Sequence, residues 1–208
     1  MTQNLARLFV RLQPEIDWVP QQASSYVPNN GDDRGLSSLL RVHNGLSAYK
    51  GGLRIFGAER SLLPSLAEWN VADLWRCEYR GLDRGIPFFA EDFLGNQFGF
   101  ENRAVVRFLA ETGDIEIAGK SFEDWLQRIV EDPVEELTLW LLDDWRSANR
   151  PPILSEHLCP KIPFVVKGPT ERGNLYLCDR VESMRFKGSF AHQIRDVPTG
   201  GQIEIRVK

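Results

Sequence analysis

I-P-F-F-A-E-D-F-L-G-N-Q-F-G-F, residues 86–100, is the stretch on which the fold turns. Two short aromatic runs, 87–90 and 97–100, flank an acidic segment at 91–96. Phe88, Phe89, Phe98 and Phe100 favour extended backbone, and Gly95-Asn96 supplies the positive φ that a tight reversal needs. The pattern predicts a β-hairpin at the centre of a sheet, with its turn at 91–96. Directly after it, A-V-V-R-F-L at 104–109 predicts a third strand. E-T-G-D at 111–114 turns the chain, and 115–118 returns as a fourth. Four strands joined by short turns make an antiparallel meander, and the remaining segments have to cover it. The fold class expected is α+β: a mostly antiparallel sheet flanked by helices.

Upstream, Leu5, Leu8, Phe9 and Leu12 fall at helical spacing before Pro14. Residues 13–34, with three prolines and N-N-G, predict an irregular segment pinned by Trp18 and Tyr26. A short helix is expected at 36–43, where His43 suits the negative end of the helix dipole. G-G at 51–52 opens an alternating strand at 53–56. Residues 61–79 read as mostly helical, with Leu62 and Leu66 on the apolar face. A break at Asn70 is expected to cap the second piece through N-V-A-D.

Downstream, S-F-E-D at 121–124 has the form of a capping box, and Phe122, Trp125, Leu126, Ile129 and Val130 follow on one helical face. Pro133 restarts a helix after Asp132, with Val134, Leu137, Leu141 and Trp145 on one side and Trp140 beside them. N-R-P-P at 149–152 suggests a boundary, giving domain 1–150 and a β-rich extension 151–208 that packs on or extends the same sheet. Strands are expected there at 163–166, 174–177, 181–186 and 202–207, with a short helix at 190–194.

The 208 residues are 42% hydrophobic, enough for a full core, and the net charge is −4. Residues 1–150 carry 16 Lys/Arg against 23 Asp/Glu, and residues 151–208 carry 9 against 6. An acidic body disfavours general nucleic-acid binding and invites a basic partner. Cys77, Cys159 and Cys178 are odd in number and widely spaced, which fits free thiols in a reducing cytoplasm. Arg7 and Arg11 break the N-terminal apolar run, so neither a signal peptide nor a membrane span is expected.

The motifs that carry chemistry are sparse. His157, Cys159 and Cys178 lack zinc-ligand spacing. No nucleophile elbow and no phosphate-cradling glycine frame is present. Neither a cofactor nor a metal is expected. Glu91-Asp92 offers a general acid and base, but neighbours on an extended chain point to opposite faces, and turn residues bonding the backbone explain the pair as well. From 121 to 144 there are eight acids, Glu123, Asp124, Glu131, Asp132, Glu135, Glu136, Asp143 and Asp144, against the single base Arg128. They make either a solvated helix face or a docking surface for a basic protein, with Trp140 as its aromatic contact and Glu91, Asp92 and Asn96 of the hairpin turn beside it.

H-N-G-L at 43–46, G-G-L-R-I-F-G at 51–57, E-W-N at 68–70, P-F-F-A-E-D-F-L-G-N-Q-F at 87–98, E-T-G-D at 111–114 and F-E-D-W at 122–125, in that order, resemble the SUKH superfamily. The likeness is to its Smi–Knr branch, which joins a yeast cell-wall synthesis regulator to many bacterial homologues. L-C-P-K-I-P-F-V at 158–165, N-L-Y at 174–176 and M-R-F-K-G at 184–188 resemble a longer bacterial subgroup. The resemblance implies an antiparallel sheet flanked by helices and a protein-binding role with no catalytic residue to carry over. It implies either an immunity protein that neutralises a nuclease-type toxin or a cytoplasmic regulatory scaffold; a hydrolase using Glu91 or Asp92 is the remaining alternative.

Overall fold

The computed structural model describes residues 2–12, 14–17, 34–198 and 201. The segment containing Trp18 and Tyr26 and the strand expected at 202–207 lie outside them. The elements run α1 (Gln3–Leu12), β1 (Ile16–Asp17), α2 (Arg34–Leu40), β2 (Leu46–Ala48), β3 (Leu53–Ile55), α3 (Leu66–Trp69) and β4 (Phe88–Asp92). They continue with β5 (Gln97–Glu101), β6 (Ala104–Phe108), β7 (Ile115–Gly119), α4 (Phe122–Glu131), α5 (Pro133–Glu136) and α6 (Leu139–Arg146). The last described elements are β8 (Glu156–Pro160), β9 (Leu175–Asp179) and α7 (Arg180–Ile194).

β1 to β7 form one sheet in sequence order, every neighbour antiparallel. The fold is therefore α+β around a meander, as the aromatic runs and turns of 86–118 predict. The meander also extends backwards through β3 and β2 to β1. Strand alternation sends successive side chains to opposite faces. One face carries Leu53, Ile55, Phe89, Phe98 and Val105, packed under α1, α2, α4 and α6. The other carries Phe56, Phe88, Val106 and Phe108 beneath Trp69, Trp75, Tyr79 and Met184 of α7.

α4 is the anchor of the first face. Ser121 accepts the Asp124 N–H at 3.2 Å, while the Asp124 carboxylate accepts from Lys120 N–H rather than from Ser121. Trp125 is fully buried, edge-on to Phe89 at 5.1 Å.

Several local expectations are corrected. Residues 61–79 hold only the four-residue α3 and a 3-10 turn, Arg76–Tyr79, because backbone and side chains there bond to the sheet instead. Asn70 caps nothing downstream: its amide donates to Phe88 O at 2.7 Å and its carbonyl accepts Phe88 N–H at 2.8 Å, extending β4 laterally. The capping box is at Ser65 and Glu68. Leu62 and Val134, expected inward, are exposed. Residues 163–166 are not a strand but contain one 3-10 turn, Phe164–Val166, and 181–186 lie inside the 15-residue α7. The described part of the extension is thus a two-stranded hairpin plus a long helix. Leu158 N–H donates to Phe93 O at 3.0 Å, fastening β8 to the end of β4.

Candidate functional site

The central strands carry a ladder of polar residues on the face turned toward α7. The register places Arg54 opposite Glu91 and Glu91 opposite Gln97. All three are fully buried. Such a row is costly unless every charge is paired, and α7 and β8 supply the partners. Glu91 Oε1 lies 3.3 Å from Arg54 Nη1 and 3.2 Å from Arg180 Nη1. Its Oε2 lies 3.2 Å from His157 Nε2, a close approach that is not aligned as a hydrogen bond.

Arg54 also donates to Glu156 O at 2.8 Å and Ile153 O at 3.2 Å, so a sheet residue holds the approach to β8. The Arg180 guanidinium stacks over Trp69 at 4.7 Å, and Trp69 Nε1–H donates to Gln97 Oε1 at 2.7 Å.

Beyond His157 the polar chain continues. His157 Nδ1 is 3.3 Å from Ser183 Oγ, and Cys159 Sγ is 3.0 Å from the same oxygen. Lys187, also buried, donates to Leu94 O. Glu91, His157, Ser183 and Cys159 therefore form a continuous line under α7. Its residue types are those of a nucleophilic relay. Ser183 and His157 are sealed, however, at 1% and 0% exposure, and Glu91 is held by two guanidinium groups. The arrangement can hold charge and pass a proton between buried groups; it presents no nucleophilic serine to a substrate.

Burial alone would raise Glu91. The opposing fields of His157, Arg180 and Arg54 outweigh it and hold the carboxyl well below the usual carboxylate range. Burial lowers His157, with Lys187 and Arg54 adding to it against the pull of Glu91. The field of His157 acts only while its ring is protonated; once that proton is lost, the two guanidinium groups are what keep Glu91 ionised. The sign of the pH dependence follows. The unfolded chain binds a proton on His157 near its ordinary pKa of about 6.5 before the folded chain does. Stability from this site is complete above that pH and falls as pH drops toward the folded value, by at most about 1.4 kcal/mol per pH unit. Urea midpoints at pH 7.5 and 5.5 should differ more for the native chain than for His157→Gln. Equal differences in the two proteins would remove His157 as the cause.

The residues singled out in the sequence separate into two groups. Glu91 and Asp92 are strand residues, fully buried, and turn their side chains to opposite faces. They are corrected from an exposed docking turn to internal structure, because each is consumed by buried partners. Asp92 pairs with Arg107 at 3.0 Å and accepts the N–H groups of Leu94 and Asn96. Asn96 Oδ1 accepts Ala110 N–H. These contacts shape the β4–β5 turn and seat β6 beside it.

Of the acids at 121–144, Glu123 accepts from Asn4, and Asp124 caps α4 and pairs with Arg128. Asp132 caps α5, Asp143 pairs with Arg146, and Asp144 pairs with Arg172. Glu136 lends its backbone carbonyl to Arg107. Glu131 and Glu135 are exposed, close in sequence to half-exposed Val134 and Trp140. Arg54, Gln97, Arg180, Ser183 and Lys187, which build the buried site, carry no motif. Their signal is positional: polar residues at strand and helix positions that the surrounding pattern buries.

Among the described residues, no group of three or more His, Cys, Asp and Glu side chains is arranged to hold a metal ion, and no helix is long and apolar enough to cross a membrane. No protein-family pattern and no curated protein matches the chain. Among solved structures, Atu4351 from Agrobacterium tumefaciens, known from its crystal structure, is similar with a TM-score of 0.56. The match covers 91% of this chain and 89% of that one at 9% identity. At that identity the likeness shows a common fold and nothing about activity.

Proposed function

We propose that the chain is a non-enzymatic protein-binding module of the immunity type, which docks a basic, nuclease-type toxin through the α4–α6 edge. The observation that carries the proposal is the pairing of exposed acids with exposed apolar groups there. Val134 and Trp140 are 49% and 47% exposed, and Glu131, Asp132 and Glu135 are exposed with them in the same stretch. An aromatic contact framed by one sign of charge suits recognition of a basic surface. The resemblance to the SUKH superfamily supports the same class. Capping, ion pairing and the hydrogen bond from Asn4 occupy Glu123, Asp124, Asp132, Asp143 and Asp144, which narrows the docking acids to those of 131–140, Glu131 and Glu135 first.

The direct test is protection. Co-expressed with nuclease-toxin domains from its own genetic neighbourhood, the chain should restore growth against one of them, and rescue against none would overturn the immunity assignment. With that toxin in hand, Glu131→Lys combined with Glu135→Lys should lower the association rate by roughly ten-fold at low salt. The effect should shrink as added salt shortens the Debye length from about 10 Å. Stability should move by no more than about 0.5 kcal/mol, since neither side chain is buried. An unchanged association rate would leave these acids as solvated surface.

A further inference from the structure

The buried line ends on a pair of thiols. β8 and β9 pair with His157 opposite Cys178 and Cys159 opposite Tyr176, so His157, Cys159, Tyr176 and Cys178 share one face of the hairpin. Cys159 and Cys178 are diagonal neighbours on it, and the Cys159 thiol donates to Ser183 Oγ at 3.0 Å. Both are free thiols, Cys159 buried and Cys178 partly exposed. Cys159 borders a small cavity lined also by Glu111, Pro163, Lys187 and Phe190. Against it lies a wider groove of about 220 Å³ that shares Glu111, Pro160 and Lys187 and extends along Leu94 and Phe164.

Charge in this layer favours a thiolate. Arg54, Arg180 and Lys187 are buried cations, set against the carboxylates Glu91 and, at the edge, Glu111. An anionic sulfur at Cys159 would balance the remaining positive charge. Ser183 bridges that sulfur to His157 Nδ1, so a proton leaving the thiol has a route to a ring that faces Glu91. The neighbouring Cys178, then Lys187 and the hydrogen bond to Ser183, draw the Cys159 thiol down against the effect of burial. The neighbouring Cys159 and burial push the Cys178 thiol up.

We propose that Cys159 and Cys178 form a hydroperoxide-reactive thiol pair, with Cys159 as the attacking sulfur and Cys178 as the resolving one. The Cys159 thiolate attacks one peroxide oxygen, the O–O bond breaks, and the leaving oxygen takes up a proton to depart as water or an alcohol. Cys159 is left as a sulfenic acid. Cys178 sulfur then attacks the sulfenic sulfur, the S–O bond breaks, and the departing hydroxide takes the Cys178 proton to leave as water. The two thiols together lose two electrons, the hydroperoxide gains them, and one disulfide closes across the hairpin.

The test uses the full chain carrying Cys77→Ser, which removes the exposed third thiol and leaves the cluster intact. Treated briefly with hydrogen peroxide at pH 7, unfolded and alkylated, it should come out lighter by about 2 Da and take up no alkylating agent. Its tryptic peptides 147–161 and 173–180 should be joined. The thiols should be lost on the order of ten-fold faster than free cysteine in the same buffer, because the thiolate fraction governs the rate. Adding Cys178→Ser should halt the reaction at a Cys159 adduct with dimedone. Two alkylatable thiols after excess peroxide, or loss no faster than that of free cysteine, would overturn the proposal. Dimedone appearing on Cys178 of the Cys159→Ser chain at an undiminished rate would overturn it as well.

Discussion

Glu91→Ala is expected to cost about 3–5 kcal/mol, the usual loss when one partner of a buried ion pair is removed and the other charge stays behind. Two charges stay behind here. Arg54 is 0% exposed and cannot turn to water, and Arg180 is pinned between Trp69 and the sheet. A domain of this kind holds about 5–15 kcal/mol in total, so the variant would sit near the edge of folding. The urea midpoint is the measurement. Glu91→Gln keeps the size and hydrogen-bonding capacity of the side chain but not its charge, and should show most of the same loss. A combined Glu91→Leu, Arg54→Met, Arg180→Leu chain should recover part of it, because apolar replacement of a whole buried ion cluster is often neutral or stabilising. A loss below about 1 kcal/mol for Glu91→Ala would mean that the guanidinium groups are hydrated or paired elsewhere, and that Glu91 does not organise the layer.

That cluster also marks where the sequence stops being legible. Residues 86–118 announce the meander because their aromatic and β-branched residues alternate between defined turns, and local chemistry and tertiary packing agree there. α4 is equally plain, since its buried positions are all apolar. α7 is not. Its buried residues, Arg180, Ser183, Met184, Lys187, Gly188, Phe190 and Ala191, keep helical spacing, yet three of the first four are polar or charged. A search for apolar periodicity therefore breaks the helix and finds a strand in 181–186. Arg54 is the mirror case. In L-R-I-F it reads as the solvent side of a half-exposed strand, but β8 and α7 cover that side.

The same logic separates the two sets of acids. Glu91 and Asp92 stand next to a glycine turn, where sequence favours exposed backbone-bonding side chains. What buries them is Arg54, Arg107 and Arg180, which lie 15 to 89 residues away along the chain. The acids of 121–144 are legible as a charge bias, and the ion pairs with Arg146 and Arg172 and the caps of α4 and α5 show how much of that bias the fold uses internally. Glu131, Asp132 and Glu135 remain exposed in the stretch that carries Trp140.

Gly95→Ala should be the second large loss, and it tests whether the β4–β5 turn and the C-terminal layer are one packed unit. Gly95 has φ +86°, and a Cβ there would lie 2.8 Å from His157 Nδ1, 2.9 Å from His157 Cε1 and 3.2 Å from Met184 Sδ. The substitution meets two costs. Placing an L residue in the left-handed region costs roughly 1–2 kcal/mol. Forcing His157 and Met184 aside adds about 1–3 kcal/mol of overpacking. Gly81 separates the two terms, because it has φ +90° and nothing within 4 Å of its added Cβ. Gly81→Ala should therefore show the backbone cost alone, and the difference between the two variants measures the contact. A displaced His157 ring would also withdraw from Glu91 and Ser183, so Gly95→Ala should flatten the acid-side loss of stability between pH 7.5 and 5.5 while Gly81→Ala leaves it intact. Equal losses with equal pH slopes would mean that the turn moves independently of β8 and α7, and the buried line would then be held from the helix side alone.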